Sequence, residues 1–122
     1  MTDRVLLRQA AEVIATTAMY GGGTFEGRTL LRFNPDSGFA VGIGGITIDA
    51  RQATVEAIAW LAPRVAGEYM TPYVGTWLQG DVLHIDAVRY FGADRYLDAI
   101  AEGEAAGQQA IYDFTDRKEI YL

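Results

Sequence analysis

The chain contains no cysteine and only one histidine among its 122 residues. The lack of cysteine excludes disulfides, a thiolate nucleophile and a zinc site built on Cys ligands. With one histidine and scattered carboxylates, we expect no metal site. No segment approaches the roughly 18–20 consecutive apolar residues that a membrane-spanning helix needs. The composition therefore predicts a protein without disulfides, bound metal or a membrane span.

Signals for secretion and for phosphate binding are also weak. Charged residues interrupt the apolar residues near the N-terminus, so no secretory signal is predicted and we expect a cytoplasmic protein. The run Gly21–Gly23 lacks the Gly-Lys-Ser/Thr ending of a phosphate-binding loop. Gly42-Ile-Gly-Gly45 contains the first two glycines of a dinucleotide-binding fingerprint, but Thr47 occupies the position of the third glycine. No cofactor is predicted.

Basic residues are few, with ten against sixteen acidic ones, and the net charge is -6. An acidic chain is repelled by phosphate backbones and by anionic lipid surfaces, so direct binding to nucleic acid or to a membrane is not expected. Half of the residues are hydrophobic and 21% are charged, which is typical of a globular protein. At this length residues 1–122 are expected to form one domain, since neither half could build its own core.

Apolar spacing in the first half predicts two helices and a hairpin. A first amphipathic helix is predicted from Asp3 to about Thr17, ended by the glycines after Tyr20. Strands over Thr24–Phe33 and Phe39–Ile43 flank a strong turn signal at residues 34–38, and we expect them to pair.

The second helix is predicted to begin and end at recognisable residues. Asp49-Ala-Arg-Gln52 resembles a capping box, in which the Asp49 side chain accepts hydrogen bonds from the first free amides. Pro63 is predicted to end the helix or to start a separate turn, because proline lacks an amide donor and clashes with the preceding turn. Residues 63–72 would then form a connector.

Two further hairpins and a third helix are predicted in the second half. The strands are Tyr73–Gln79 with Val82–Val88, and Gln109–Phe114 with Glu119–Leu122; Asp94–Ala106 is the helix. The whole order is α-ββ-α-ββ-α-ββ. This order predicts a single α+β domain in which an antiparallel sheet is covered by helices mainly on one face.

The segments Tyr73-Val-Gly-Thr-Trp77, Ile85-Asp86, Gly107-Gln-Gln-Ala-Ile-Tyr-Asp113 and Glu119-Ile120 carry a family resemblance. They resemble small uncharacterised proteins encoded by actinobacteria, their phages and mobile elements. The resemblance covers about residues 73–122, with a weaker match around residues 21–45. It implies no activity or site residue, but it favours a role in a phage or mobile element.

His84 and Asp86 are the candidate catalytic residues. Because they stand two apart in a predicted strand, their side chains should share one face, with Trp77 or Leu78 nearby across the Gly80-Asp81 turn. An imidazole oriented by Asp86 could act as a general base in a pocket roofed by Trp77. The simpler interpretation is a half-exposed pair of polar residues, because no serine, cysteine or second histidine offers itself as a partner.

A row of acidic residues on the third helix allows another interpretation. Asp94, Asp98 and Glu102 recur every four residues, and such a row can imitate DNA phosphates, especially if Asp113 and Asp116 join it. Arg95 lies one turn from Asp98 and dilutes the negative field. An acidic inhibitor of a nucleic-acid-binding protein is therefore one alternative function, and a solvated helix face is the simpler explanation.

Aromatic residues give the strongest functional indication. An open sheet face would expose some of them, and exposed Trp and Tyr are typical anchors of protein interfaces. The terminal strand Glu119–Leu122 is expected at the sheet edge, where its free backbone groups could pair with a partner or a second copy. We therefore predict a non-enzymatic protein-binding module, with a homodimer as one form. The predicted contact residues are Trp60, Tyr73, Trp77 and Tyr121.

Overall fold

The computed structural model describes residues 3–122 of the chain as an α+β fold, as the element order predicted. Three α-helices and one six-stranded sheet make up the structure. In chain order the elements are α1 (Arg4–Tyr20), β1 (Gly22–Glu26), β2 (Phe39–Asp49), a short 3-10 helix (Ala50–Gln52), α2 (Val55–Glu68), β3 (Tyr73–Gln79), β4 (Val82–Phe91), α3 (Tyr96–Ala105), β5 (Ala110–Asp113) and β6 (Lys118–Tyr121).

The sheet is antiparallel throughout, with the strand order β1-β3-β4-β2-β5-β6. The hairpins β3–β4 and β5–β6 are confirmed. The first of them turns at Gly80, whose φ of 59° suits glycine in a two-residue hairpin turn. β2 connects the two hairpins because it pairs with β4 on one side and with β5 on the other. The longest strand therefore lies inside the sheet.

The predicted first hairpin is wrong. The Thr24–Phe33 strand breaks after Glu26, where the chain turns and the Leu30 amide donates to the Glu26 carbonyl at 2.8 Å. Burial of the Leu30 side chain, only 1% exposed, holds this turn in place. β1 pairs with β3 instead of β2, and β2 extends past Ile43 to Asp49.

Both predicted limits of the second helix need correction. The Asp49 carboxylate accepts from the Arg51 amide at 2.9 Å and pairs with the Arg51 guanidinium, so it caps only the 3-10 helix. The N-cap of α2 is Thr54, whose hydroxyl accepts from the Ala57 amide at 3.1 Å. Pro63 lies inside α2, which continues because the residues that follow it remain packed in the core. The connector is thus residues 69–72.

The two remaining helix ends follow the glycine signals. α1 ends at Tyr20, and Gly21 adopts φ 83° while its amide donates to the Thr17 carbonyl. After α3, Gly107 has φ 71°. Positive φ costs glycine little, which is why both helices stop there. The predicted start of α3 at Asp94 is two residues early, since the helix begins at Tyr96.

One face of the sheet, the helix face, carries the main core. Alternation along the strands places Phe25, Val74 and Ile85 on this face, where they pack against Val13 of α1 and Ile58 of α2. Under α3, a second cluster joins strand residues to the helix. Its buried members are Phe39, Val41, Phe91, Ala99 and Ile111. All three helices therefore cover the same face, as predicted.

The other face, the open face, is covered only at one end. Its apolar cluster contains strand residues, Phe33 from the β1–β2 loop and Phe114 from the β5–β6 turn. Among residues 3–122, the cluster has no helical member. The members are Phe33, Ala40, Tyr73, Val88, Tyr90, Tyr112 and Phe114. The rest of this face is available to solvent or to a partner.

Candidate functional site

Trp77 and His84 form a flat stack on the open face. They are directly opposite each other in the β3–β4 register, because the two-residue turn fixes the pairing. Their ring centroids are 3.8 Å apart and the rings are nearly parallel, at 8°. On the other side of Trp77, β1 presents Gly22, which has no side chain. Trp77 remains 42% exposed, so the stack is an aromatic platform that solvent can reach.

Asp86 lies beside this platform, in the next row of the sheet. The Trp77 indole Nε1–H donates to Asp86 Oδ2 at 3.1 Å. Glycines flank Asp86 on both neighbouring strands, Gly75 on β3 and Gly45 on β2. A Cβ atom at Gly45 would stand 2.7 Å from Asp86 Oδ1 and would collide with the carbonyl of Ile85. The carboxylate therefore has no side chain beside it from either neighbouring strand in its row. We call Trp77, His84 and Asp86 the Trp77 cluster.

The surroundings of Asp86 shift its acidity. Partial burial disfavours the charged carboxylate and raises the pKa of Asp86 above its ordinary value of 3.8. The hydrogen bond from Trp77 and the charge of His84 oppose this shift without cancelling it. Among residues 3–122, the Trp77 indole is the one side-chain donor that reaches this carboxylate. A carboxylate can accept several hydrogen bonds, so Asp86 can accept further bonds from a ligand or partner.

The arrangement gives little support to a base oriented by Asp86. His84 Nε2 lies 3.1 Å from Gln79 Oε1, and Asp86 bonds to Trp77 rather than to the imidazole. Trp77 packs flat on His84 and does not roof a pocket. The predicted proximity of Trp77, His84 and Asp86 is nevertheless confirmed by the register.

Tyr73 belongs to the aromatic cluster at the other end of the open face. Its ring stacks on Phe33 with centroids 4.2 Å apart, and Phe33 in turn meets Tyr90 edge to face at 5.1 Å. The Tyr90 hydroxyl donates to the Ser37 carbonyl at 2.6 Å, which fastens the β1–β2 loop over the sheet. Tyr73 is therefore half-buried and supports this end of the face. Its side chain offers a partner less surface than that of Trp77.

Tyr121 lies on β6, at one edge of the sheet, as predicted. It is 76% exposed and shares the open face with Glu119. The hydrogen bond and the negative charge of Glu119 raise the pKa of Tyr121. The opposite edge, β1, is partly covered by the returning loop, because Phe25 forms a bridge with Arg32. β6 is thus the less protected edge.

Trp60 is separated from the other three predicted contact residues. It lies on the exposed side of α2, which packs on the helix face, and is 60% exposed. The Arg64 guanidinium carbon lies 3.1 Å from its ring centroid, and Arg64 Nη1 donates to the Trp60 carbonyl. The structure therefore brings Tyr73, Trp77 and Tyr121 to one surface and leaves Trp60 on the other side.

Charge divides unevenly between the two faces of the sheet. The strand cations, Arg89 and Lys118, both lie at helix-face positions, and Arg89 pairs with Glu102 of α3 at 3.0 Å. The open-face strand positions carry the carboxylates of Glu26, Asp49, Asp86 and Glu119, and Asp49 is paired with Arg51. This polarity could not be read from the net charge, because it depends on strand register.

The acidic row of α3 is largely neutralised. Asp98 pairs with Arg95 at 2.9 Å, and Glu102 pairs with Arg89. Asp113 is buried and accepts from the Thr115 amide at 2.9 Å, so its carboxylate holds a turn together. Asp113 therefore does not join the acidic row at the surface, which was the condition that would have favoured a DNA mimic.

Two hollows lie away from the Trp77 cluster. An apolar cavity of about 160 Å³ opens between α1, α2 and the helix face, next to the hydrogen-bonded hydroxyls of Thr17 and Thr76. A shallower hollow of about 390 Å³ adjoins the α2–β3 connector, and its arginines Arg89 and Arg95 are both ion-paired. Neither hollow is lined by His84 or Asp86, so neither offers those two residues an enclosed reaction site.

Within residues 3–122, no three His, Asp or Glu side chains group closely enough to hold a metal ion. The described helices include none that is both long and apolar enough to cross a membrane. Comparisons of the chain with protein-family models, with curated proteins and with solved structures found no match.

Proposed function

We propose that this protein is a small, non-enzymatic interaction module that binds a protein partner through the open face of its sheet. The observation that carries the proposal is the exposed aromatic platform of Trp77 and His84 on a face that the helices leave uncovered. Exposed aromatic side chains on a rigid sheet lose little conformational freedom when they bind, and they bury a large apolar area. We place the protein in the cytoplasm.

The resemblance to proteins of actinobacteria and their phages favours a host protein as the partner. A second copy of the chain is the other protein that could occupy the face. The short edge strand β6, with Tyr121 beside the open face, would then extend the contact by strand pairing. Light scattering on the purified protein separates these two occupants, since only the homodimer doubles the mass in the absence of other proteins.

Position-specific photo-crosslinking tests the surface. A benzophenone amino acid is placed at Thr47, which is exposed on the open face beside His84, or at Glu12, which is exposed on α1. We expect a discrete crosslinked product, identified by mass spectrometry in host lysate or as a dimer of the pure protein, from Thr47 and not from Glu12.

Two tryptophan variants supply matched controls for that experiment. Trp77→Ala should reduce the Thr47 product roughly tenfold or more, which is the usual effect of removing a central aromatic anchor. Trp60→Ala makes the same chemical change on the opposite side of the molecule and should leave the product unchanged. Products from Glu12 alone, or equal losses in the two variants, would refute binding at the open face.

Ligand binding or catalysis by His84 and Asp86 is the second candidate function. Its support is the meeting of these residues with Trp77 and the raised pKa of Asp86. Its weakness is that His84 faces Gln79 and lies on an open surface. An acidic DNA mimic receives less support, because Arg89 and Arg95 neutralise two carboxylates of α3.

A further inference from the structure

The Trp77 platform has one occupied and one unoccupied side. His84 covers one ring face, and the strand on the other side of Trp77 contributes only Gly22 to that row. The indole edge is held by Asp86, so the ring and the carboxylate have a fixed relative position. A flat ring beside an under-used carboxylate is the combination that binds a planar cation, through cation–π attraction and a charge-assisted hydrogen bond.

Trp60 already binds a planar cation on its ring within this molecule. The Arg64 guanidinium lies on the Trp60 ring, 3.1 Å from its centroid, so that tryptophan already has a cation. Trp77 has no arginine from residues 3–122 over its ring. Trp60 thus has a cation from its own chain, whereas a cation on the Trp77 ring would have to come from another molecule.

The charge of the open face favours a basic partner. Its strand positions carry the carboxylates of Glu26, Asp49, Asp86 and Glu119, of which Asp49 is already paired with Arg51. The strand cations Arg89 and Lys118 lie on the helix face. Arg117 approaches one end of the face but is engaged by Asn34 and the Pro35 carbonyl of the β1–β2 loop. An arginine entering beside Trp77 therefore meets negative charge along the strands of the face, which attracts it and helps to orient it.

We propose that the Trp77 cluster is a receptor for an arginine side chain presented by the partner protein, with the guanidinium lying on the Trp77 ring and donating to Asp86. Arginine suits the site better than lysine, because its guanidinium is planar, stacks on aromatic rings and presents several donors in one plane. This assignment depends on the proposed function, since it names the chemistry of the partner at the open face.

The test uses the whole protein and small probes, so that no partner need be known. N-acetyl-arginine amide is titrated into 15N-labelled protein, and the indole N–H signals of Trp77 and Trp60 are followed by NMR. N-acetyl-citrulline amide, which has nearly the same shape but no charge, is the matched probe, and N-acetyl-lysine amide tests the need for planarity. We expect a saturable shift of the Trp77 indole at millimolar arginine and a much smaller shift of the Trp60 indole, because Arg64 already lies on the Trp60 ring.

Variants and salt define the role of the carboxylate. Asp86→Asn keeps an oxygen that can accept from Trp77 but removes the charge, and it should weaken arginine binding at least about threefold. Asp81→Asn removes an exposed carboxylate from the neighbouring turn and should change binding less. High salt should weaken the interaction of wild type more than that of Asp86→Asn, because ions screen the charged pair. Unchanged amide spectra elsewhere would show that both variants are folded.

Three outcomes would overturn the assignment: equal binding of citrulline and arginine, wild-type affinity in Asp86→Asn, or equal shifts of the two indoles. Stronger binding of lysine than of arginine would show that the site prefers a point charge to a planar cation, and this would also refute the assignment. If arginine fails while the crosslinks still map to Thr47, the open face binds a partner of different chemistry. If arginine binds while the crosslinks map to α1, the proposed function is wrong although the site exists.

Discussion

Asp86 is held in a position that costs the fold some stability. Burial raises its pKa, so the folded protein retains the Asp86 proton more tightly than the unfolded chain does. The stability that this proton preference provides is fully present below the pKa of the unfolded chain. It is lost as pH rises from that value through the raised pKa of the folded state. At neutral pH the ionised Asp86 therefore opposes folding.

Asp86→Asn should increase the free energy of unfolding at about pH 7, by less than about 1 kcal/mol because solvent screens this partly open site. The gain should disappear below about pH 3.8, the ordinary pKa of this carboxyl, where wild type also carries a neutral group. Urea unfolding at neutral and acidic pH measures both values. A loss of stability at neutral pH, or an equal gain at both, would contradict the assigned burial. If Asp86→Asn gains stability while it loses affinity for arginine, Asp86 serves binding rather than stability.

The start of α2 depends on one hydroxyl. Thr54 lies in the extended conformation, and its Oγ1 accepts from the Ala57 amide at 3.1 Å. Asp49, five residues earlier, was predicted to fill this role, but its carboxylate is engaged by Arg51. Capping depends on which side chain stands next to the first helical residue, and the 3-10 helix moves that point along the chain.

Thr54→Ala should lower the free energy of unfolding by about 1 kcal/mol, since an N-cap oxygen satisfies an otherwise free amide of the first turn. Thr54→Ser keeps that oxygen and should cost at most a few tenths of a kcal/mol. Denaturant titration of both variants measures the difference. Equal stability of the two variants would mean that Thr54 does not cap α2 in solution.

Strand pairing combines local and distant contacts. The hairpins β3–β4 and β5–β6 could be predicted because each joins adjacent segments through a short turn. The pairing of β1 with β3 joins strands separated by β2 and α2, and no local signal encodes it. β1 ends early because Leu30 is buried and the Gly27 amide donates to the Pro72 carbonyl at 2.7 Å. A Cβ atom at Gly27 would collide with Ala66, so this turn requires glycine.

Both parts of the core share one sheet. Ile43 packs against the cluster under α1 and α2 and also against the cluster under α3. β2 and β4 run beneath both clusters, so unfolding either part would expose apolar surface of the other. The molecule should therefore behave as one cooperative unit, in keeping with the single domain predicted from its length.

Thermal or urea unfolding should show one transition by every probe. Far-UV circular dichroism follows the helices, and the fluorescence of Trp77 in a Trp60→Phe background follows the open face. We expect the two curves to coincide, because the platform and the helices are fixed to opposite faces of one sheet. Separate midpoints for the two probes would show that the sheet and its helices unfold independently.

The sequence alone determined the elements that local patterns encode. Apolar spacing gave the three helices, turn residues gave two of the hairpins, and strand alternation placed His84 and Asp86 on one face. These features depend on residues close together in the chain, where helical and extended periodicities differ clearly.

Tertiary structure decided how those elements combine. It determined the strand order, the exposed position of Trp77 against the half-buried position of Tyr73, and the separation of Trp60 from both. It also set the acidic character of the open face, because Arg89 lies on the helix face beside Glu102. Such features follow from contacts between distant segments, whose free energy depends on packing and burial and leaves no periodic signal in the chain.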